Sequence, residues 1–295
     1  MTRIVARALA KLNLGLEVLG RRSDGYHDIA TIFQTIDLCD VITIEPNSHL
    51  KVAIDASLAS EANLAEAAAI ALRDHCQIDQ GATVQIEKQI PIAAGLGGAS
   101  SDAATTLRAL ASFWNIESDG EVLFELALKL GCDVPFFLVG GTAIGHGRGE
   151  QLERIDGTLD AWIILASPQI AIPNKTRSMF SKLVATDCSS GETISTIARR
   201  IESTQAVDPQ SLPNAFARPL YEAFPHLQDL AGAFRAAGAA GVAITGAGPS
   251  HYTLTNQEGE ARAIAERLHR SLGASASVFV CRPIACVPAL VRENG

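Results

Sequence analysis

The sequence lacks the cysteine spacing of a zinc ribbon or a dithiol redox enzyme. Its six cysteines, at 39, 76, 132, 188, 281 and 286, form no CxxC pair. Its seven histidines show no HxxxH spacing and no cluster with cysteine, which makes a zinc site improbable. No apolar run approaches the ~18 residues of a membrane-spanning helix. No secretory leader is evident, so we expect a cytoplasmic protein with reduced thiols. Positive charge is in deficit, 24 Lys and Arg against 32 Asp and Glu, for a net charge of −8. That argues against nucleic acid or an anionic membrane as partner and leaves room for a locally basic pocket. What is present is apolar substance. With 47% apolar and 19% charged residues in 295, the chain can bury one large core or two modest ones.

The most informative stretch is Pro91-Ile92-Ala93-Ala94-Gly95-Leu96-Gly97-Gly98-Ala99-Ser100-Ser101-Asp102-Ala103-Ala104. It follows a strand-like segment, residues 84–90. It leads into a helix-like one with Ala103, Leu107, Leu110 and Trp114 at helical spacing. Small residues between strand and helix let backbone approach backbone. The free N–H groups and positive dipole end of the helix then face outward, where phosphates bind. This is not a Walker A loop, because no Lys follows the glycines. Nor is it the dinucleotide fingerprint: Ser100 stands where a third glycine belongs, and no ribose-binding acid is evident downstream. Ser100 and Ser101 offer either a helix cap or hydroxyls for phosphate and metal.

Elsewhere the pattern mixes strands and helices. Residues 4–19 read as strand with Lys11 and Asn13 set into it, 21–25 as a turn, and 32–44 as strand broken by a turn near 37–40. An Ala-rich helix is expected over 61–75. Another should open on a Ser118/Glu121 capping box and close at Gly131. Asp133 then sits past a helix C-terminus, where bonding to local N–H groups is the ordinary expectation, before an apolar strand over 136–139. Glycine-rich 140–150 predicts a tight loop between strands. Strand 162–166, a helix near 175–184 and a polar surface excursion over 185–213 follow. The rest reads helix 227–237, strand 242–245, glycine turn, strand 251–255, helix 258–272 and strand 277–281. The predicted class is α+β, with domains over 1–155 and 156–295, the second a split βαβ sandwich of ferredoxin type. The late glycine turn is either a plain hairpin loop or a second backbone nest facing phosphates.

Three segments stand in order: Ala8-Leu9-Ala10-Lys11-Leu12-Asn13-Leu14, the loop at 95–104, and Gly246-Ala247-Gly248-Pro249-Ser250. Together they resemble the three motifs of the GHMP kinases (galactokinase, homoserine kinase, mevalonate kinase, phosphomevalonate kinase), over residues 6 to 283. Four further runs resemble the 4-diphosphocytidyl-2-C-methyl-D-erythritol kinase branch. They are Arg21-Arg22-Ser23-Asp24-Gly25-Tyr26-His27, Ser100-Ser101-Asp102-Ala103-Ala104, Gly131-Cys132-Asp133-Val134-Pro135-Phe136-Phe137 and Ile172-Pro173-Asn174-Lys175-Thr176. The resemblance implies an N-terminal ribosomal protein S5 domain 2-like domain, a C-terminal ferredoxin-like α/β sandwich and an active site in the cleft between them. It also implies transfer of the γ-phosphoryl group of ATP, with Mg²⁺, to the 2-hydroxyl of a cytidine-diphosphate-linked methylerythritol, in the non-mevalonate route to isoprenoid precursors. Leu9, Ala99 and Ala247 depart from the usual Pro, Gly and Ser. Their extra methyls are expected to shift loop N–H groups or lower ATP affinity without abolishing binding.

Site residues follow from the resemblance. Asp133 would accept the substrate proton, and Lys11 beside it would polarise the hydroxyl, with Asn13 orienting either. Backbone from Pro91, Ile92, Ala93, Ala94, Gly95, Leu96, Gly97, Gly98 and Ala99 to Ser100 and Ser101 would cradle the phosphates. Ser101, with Ser100 as runner-up, is the candidate on the Mg²⁺ side. Asn63, Leu64 and Lys88 are candidates for the adenosine end. Tyr26 and His27 would read the cytosine, Phe180 would close its other side, Thr176 would bond the substrate, and Gly246 and Gly248 would complete that pocket. The partner is thus a small molecule, and the chain a monomer or weak homodimer. A GHMP kinase acting on another alcohol or phosphorylated substrate is the alternative. A catalytically dead sensor would lack the Lys or the Asp, and a nicotinamide enzyme would carry the missing fingerprint.

Overall fold

Two long strands organise the chain. The computed structural model describes residues 2–54, 63–117, 120–170, 172 and 174–294. Strands β1 (Thr2–Arg21) and β2 (His27–Asn47) pair antiparallel about the expected turn. Strand β2 serves two partners: β4 (Gly81–Glu87) over Val41–Asn47 and β5 (Thr142–His146) over Thr31–Gln34. Residues 37–40, expected as a turn, are continuous strand at this changeover. The register against β1 slips between Leu9 and Lys11, and such bulges bend a strand. The aspartates that suggested a turn instead accept N–H groups of distant segments. Asp37 takes that of Arg282 (2.9 Å), and Asp40 those of Gln89 (2.6 Å) and Ile90 (2.8 Å).

Strand β3 (Lys51–Ile54) lies parallel to β4, β6 (Gln151–Arg154) pairs β5 around the glycine-rich turn, and β11 (Val291–Asn294) pairs the start of β1, completing a seven-stranded sheet. Helices α1 (Leu64–His75), α2 (Gly98–Phe113), α3 (Glu121–Leu130) and α4 (Val134–Val139) share its core through Leu72, Leu107, Leu126 and Phe136. The second sheet is antiparallel, in the order β10 (Ala276–Cys281), β7 (Trp162–Pro168), β9 (His251–Thr255), β8 (Ala243–Ile244). Helices α8 (Leu227–Ala236) and α9 (Glu258–Leu272) pack on it, the expected α/β sandwich. Leu12 and Ile32 from the first sheet and Ile163, Leu165 and Tyr252 from the second lie in one further core cluster, so the two layers share buried surface.

Several expectations need correction. The stretch 140–150, expected as a tight loop, is strand β5 over Thr142–His146, and the turn is confined to 147–150. Residues 136–139 are helical, not strand. Pro135 sits in the first turn of α4, where its missing N–H costs nothing. Phe136 packs on the Phe33 ring at 4.9 Å. The excursion at 185–213 contains α6 (Glu192–Glu202), whose Ile194, Ile197 and Ile201 recur at helical spacing and are buried. Buried Glu17 on β1 accepts the Ile194 N–H (2.9 Å), so this segment is tied to the core. Finally, β4 ends at Glu87 rather than at 90. The first residue of α3 is Glu121, capped by Gly120 with φ +80. Ser118 of the expected capping box, residues 61 and 62 of the expected first helix, and Pro173 lie outside the described residues. The remaining two helices are α5 (Lys175–Ser181) and α7 (Ala217–Ala223).

Candidate active site

The loop after β4 turns back on itself through left-handed backbone at Ala93 (φ +52), Gly95 (φ +84) and Gly97 (φ +72). For Ala93 that conformation costs roughly 1–2 kcal/mol, the kind of strain that gathers at functional loops. Helix α2 starts at Gly98 with Gly97 as cap. Ser100 and Ser101 therefore lie inside the first turn rather than at the cap, and the Ser101 N–H bonds the Gly97 carbonyl (2.9 Å). The N–H groups of Gly98, Ala99 and Ser100 precede any intrahelical partner and are left for a ligand. All three residues border a cavity of about 190 Å³. Its walls are the loop from Pro91 to Ser100 with Asn63, Leu64, Lys88 and Asp102. Asn63 caps α1 by accepting the Glu66 N–H (3.1 Å). Ala99 is exposed, and Leu9 is buried in β1.

Ser101 is not in the wall of the loop cavity. Its buried Oγ finds no hydrogen-bond partner among the described residues and borders a small interior void with Leu9, Thr35 and Phe137, not the loop cavity. Among the described residues, Ser100 is the hydroxyl residue that lines the cavity. Among the described residues no group of three or more His, Cys, Asp or Glu could cage a metal ion.

Lys88 is held between two buried carboxylates, Asp40 (2.5 Å) and Asp102 (2.6 Å). Burial first, and then neighbouring Asp40, push the Asp102 carboxyl up to about 7 against the pull of Lys88. Burial lowers the affinity of Lys88 for its proton, but the two aspartates outweigh it and hold the ammonium above its ordinary range.

A second cavity, of about 240 Å³, lies on the other side of the loop, and Gly95 and Gly97 line both. It collects Lys11, Asn13, Phe33, Asp133, Arg148, Lys175, Thr176, Phe180 and Gly246. Lys11 and Asp133 face each other at 3.5 Å. Lys11 is only 5% exposed, whereas Asp133 keeps 35% of its side chain open. The Lys11 ammonium also donates to Asn13 Oδ1 (2.5 Å) and lies 5.2 Å from the centre of the Phe33 ring. Asn13 Nδ2 in turn donates to Thr31 (2.8 Å), which fixes its amide. Asp133, which the sequence placed at the unfavourable end of α3, is also the N-cap residue of α4. No backbone N–H bond to its side chain is present among the described residues, so the ordinary turn role is not the one it plays.

The third glycine segment packs on the first loop. A Cβ on Gly95 would meet the Thr245 carbonyl at 2.5 Å, and one on Gly246 would lie 3.6 Å from the Lys11 ammonium. Gly248 does not line the cavity. It packs on Leu220, and its carbonyl accepts from Lys175, which also bonds the Ala93 carbonyl (2.5 Å).

Tyr26 and His27 stand outside the lining of that cavity. Tyr26 is 55% exposed, with the Arg148 guanidinium 5.0 Å from its ring centre. His27 stacks directly on Phe180 (5.1 Å, 18°), so no aromatic base fits between those two rings. Burial, with Arg21 nearby, holds the His27 imidazole below its usual range. Sequence reasoning missed Asp40, Arg148, Lys175 and Thr245 as site residues. Arg148 was visible only as a cation inside a glycine-rich turn.

The chain has clear relatives among known proteins. Residues 63–141 match the GHMP kinases N terminal domain and residues 194–274 the GHMP kinases C terminal model. The 4-diphosphocytidyl-2-C-methyl-D-erythritol kinase of Exiguobacterium sibiricum is 35% identical over 95% of the chain and 97% of its own length. That of Brevibacillus brevis is 34% identical over 95% and 96%. A crystal structure of 4-(cytidine 5'-diphospho)-2C-methyl-D-erythritol kinase superposes with a TM-score of 0.80 at 33% identity, covering 94% of this chain and 98% of that one. Homoserine kinase from Cytophaga hutchinsonii shares the fold (TM-score 0.75) at 14% identity.

Proposed function

Since the chain belongs to the GHMP kinases, and within them to the 4-diphosphocytidyl-2-C-methyl-D-erythritol kinases, we infer that it transfers the γ-phosphoryl group of ATP to the 2-hydroxyl of that cytidyl compound. One observation carries the assignment of roles. A lysine–aspartate pair faces a cavity whose wall is the same glycine loop that borders a second cavity. Donor and acceptor thus meet at Gly95 and Gly97, where in-line transfer needs them.

Backbone N–H groups at the start of α2 hold the donor phosphates, with the adenosine end toward Asn63 and Leu64. The acceptor hydroxyl sits beside the Lys11–Asp133 pair, within hydrogen-bond reach of both. Its oxygen bonds the γ-phosphorus as the bond to the bridging oxygen of ADP breaks. Its proton goes to an Asp133 carboxylate oxygen, which is open enough to release it to solvent. Lys11, locked by Asn13, polarises the hydroxyl and balances charge on the moving phosphoryl group. Mg²⁺ is a hard cation that neutralises phosphate charge. The Ser100 hydroxyl fits as its protein donor. For the cytidine end, Tyr26 offers the stacking face, His27 a neutral ring nitrogen, and Arg148 a cation for the diphosphate. We place the protein in the cytoplasm, where ATP is at hand. No helix among the described residues is long and apolar enough to cross a membrane.

The test is ADP release from Mg-ATP with the cytidyl compound, beside mevalonate, homoserine and galactose. Turnover confined to the cytidyl compound supports the reading. Turnover with another alcohol overturns the cytidine pocket while keeping Asp133.

A further inference from the structure

Thr245 has no established role, yet its side chain joins all three glycine and lysine segments. It is fully buried. Its hydroxyl accepts the Asn13 N–H (3.1 Å) and donates to the Gly95 carbonyl (3.1 Å). Its own backbone is committed as well. Its N–H bonds Ser250, and its carbonyl accepts from Gly248 and lies where any Cβ on Gly95 would have to go. We propose that Thr245 is a positioning residue for phosphoryl transfer, whose hydroxyl sets the distance between the strand carrying Lys11 and Asn13 and the loop shared by the donor and acceptor cavities.

The chemistry requires a hydroxyl, because only it can accept on one side and donate on the other through one atom. Asn13 is the sensitive end. Its Oδ1 holds the Lys11 ammonium (2.5 Å), and its carbonyl is fixed by the buried Tyr252 hydroxyl (2.8 Å). Gly95 is the other end. Fixing its carbonyl on Thr245 sends the N–H of Leu96, across the same planar peptide, the opposite way. The Leu96 carbonyl in turn accepts the Lys11 N–H (2.9 Å). Without the hydroxyl, the loop and β1 keep that one direct bond and lose the brace beside it. Thr245 lines neither cavity, so its effect passes through Lys11 and Gly95.

The inference rests on the kinase reading, so wild-type turnover of the cytidyl compound is measured alongside. Failure there sinks that reading and this one together; failure in the variants alone sinks only this one. Thr245→Val removes the hydroxyl at nearly constant shape, Thr245→Ala removes it with less bulk, and Thr245→Ser keeps it. We expect kcat of the Val and Ala variants to fall on the order of 10- to 100-fold, as sub-ångström misplacement of reacting groups does. KM for the acceptor and affinity for a non-hydrolysable ATP analogue should stay within about threefold, and Thr245→Ser should recover most of kcat. Wild-type kcat in Thr245→Val overturns the proposal. So does an equal loss in Thr245→Ser, or a loss of kcat that only parallels a fall in melting temperature and nucleotide affinity. Failure of both hydroxyl-less variants to fold, with a normal Ser variant, also overturns it by making the hydroxyl a requirement of folding.

Discussion

Replacing Lys88 by Met leaves its two buried aspartates facing each other with no cation between them. In the intact protein the ammonium donates to Asp40 Oδ2 and Asp102 Oδ2, and the three side chains are 9%, 0% and 4% exposed. The two carboxylates are not equally vulnerable. Asp40 keeps the N–H groups of Gln89 and Ile90 on its other oxygen. Asp102 keeps no N–H donor: its Oδ1 has no partner among the described residues, and its remaining neighbour is the Asp40 carboxylate itself. The cost therefore concentrates on Asp102. Stranding one buried charge in this way costs about 3–5 kcal/mol, which lowers the melting temperature of a chain this size by roughly 6–20 °C. The pH dependence has a definite sign. Burial already pushes the Asp102 carboxyl up to about 7, and Lys88 is the group opposing that rise. Without Lys88 it climbs further. A carboxyl raised above its unfolded value binds a proton only when folded, so the stability it carries is present at low pH and is lost as pH rises through the folded value. The deficit of Lys88→Met should be small near about pH 5.5 and largest near about pH 8. Urea unfolding followed by circular dichroism at both values measures it. Adding Asp102→Asn to Lys88→Met should restore roughly 1–3 kcal/mol by removing the stranded charge. A variant within ~1 kcal/mol of wild type at both pH values, or one that loses more at the acid end, would refute the charge cluster as the element holding this loop.

Three further outcomes are expected. Asp133→Asn should keep the melting temperature and nucleotide affinity while turnover drops by ~10²-fold or more, checked by steady-state kinetics beside analogue binding. Gly97→Ala should lose about 1–3 kcal/mol and raise KM for ATP. The added methyl would press within 2.6 Å of the Phe137 ring at a left-handed backbone position, and normal stability in a melt would contradict it. His251 is held by burial down to about 4, with its two ring nitrogens on Tyr221 and the Pro249 carbonyl. Being depressed below its unfolded value, it contributes a loss of stability as pH falls from about 6.5 toward 4. His251→Gln should flatten that part of a melting-temperature profile, and an unchanged slope would remove the histidine from the account.

The donor loop was legible because its function is carried by backbone, and small residues between a strand and a helix announce backbone chemistry. Lys11 and Asp133 came from the resemblance rather than from spacing: they are more than a hundred residues apart, and only the fold shows them facing each other. The same holds for Asp40, Lys88 and Asp102, three ordinary charges until β2 and α2 bring them together. The run Phe136 to Val139 misled because a short apolar segment carries no period; the helical clue was Pro135 after an Asp. Helix α6 did carry its period at Ile194, Ile197 and Ile201, hidden among polar neighbours. Ser101 was the expected metal-side hydroxyl because adjacent serines in a motif look alike in one dimension. Once they sit on a helix, consecutive residues point about 100° apart, and one of the pair must turn inward.

The last strand of the chain pairs with the first, Thr2 opposite Asn294. The second sheet is therefore inserted into the first, joined to it by two crossings rather than one. Both crossings are fastened. The first bonds Ile155 N–H to Thr142 and the Gly157 carbonyl to the Thr142 hydroxyl. The second lays Ile284 along Thr35, N–H to carbonyl at 2.8 Å and carbonyl to hydroxyl at 2.8 Å. Two fastened crossings and a shared core restrain the swing of one sheet against the other more than a single crossing would. Among the described residues, the turn before Tyr26 and the glycine turn bearing Arg148 stand at the rim beside the second cavity, and substrate and product are expected to pass there. Measured rates of product release should respond to solvent viscosity and to changes in those turns, and be indifferent to stiffening of the crossings.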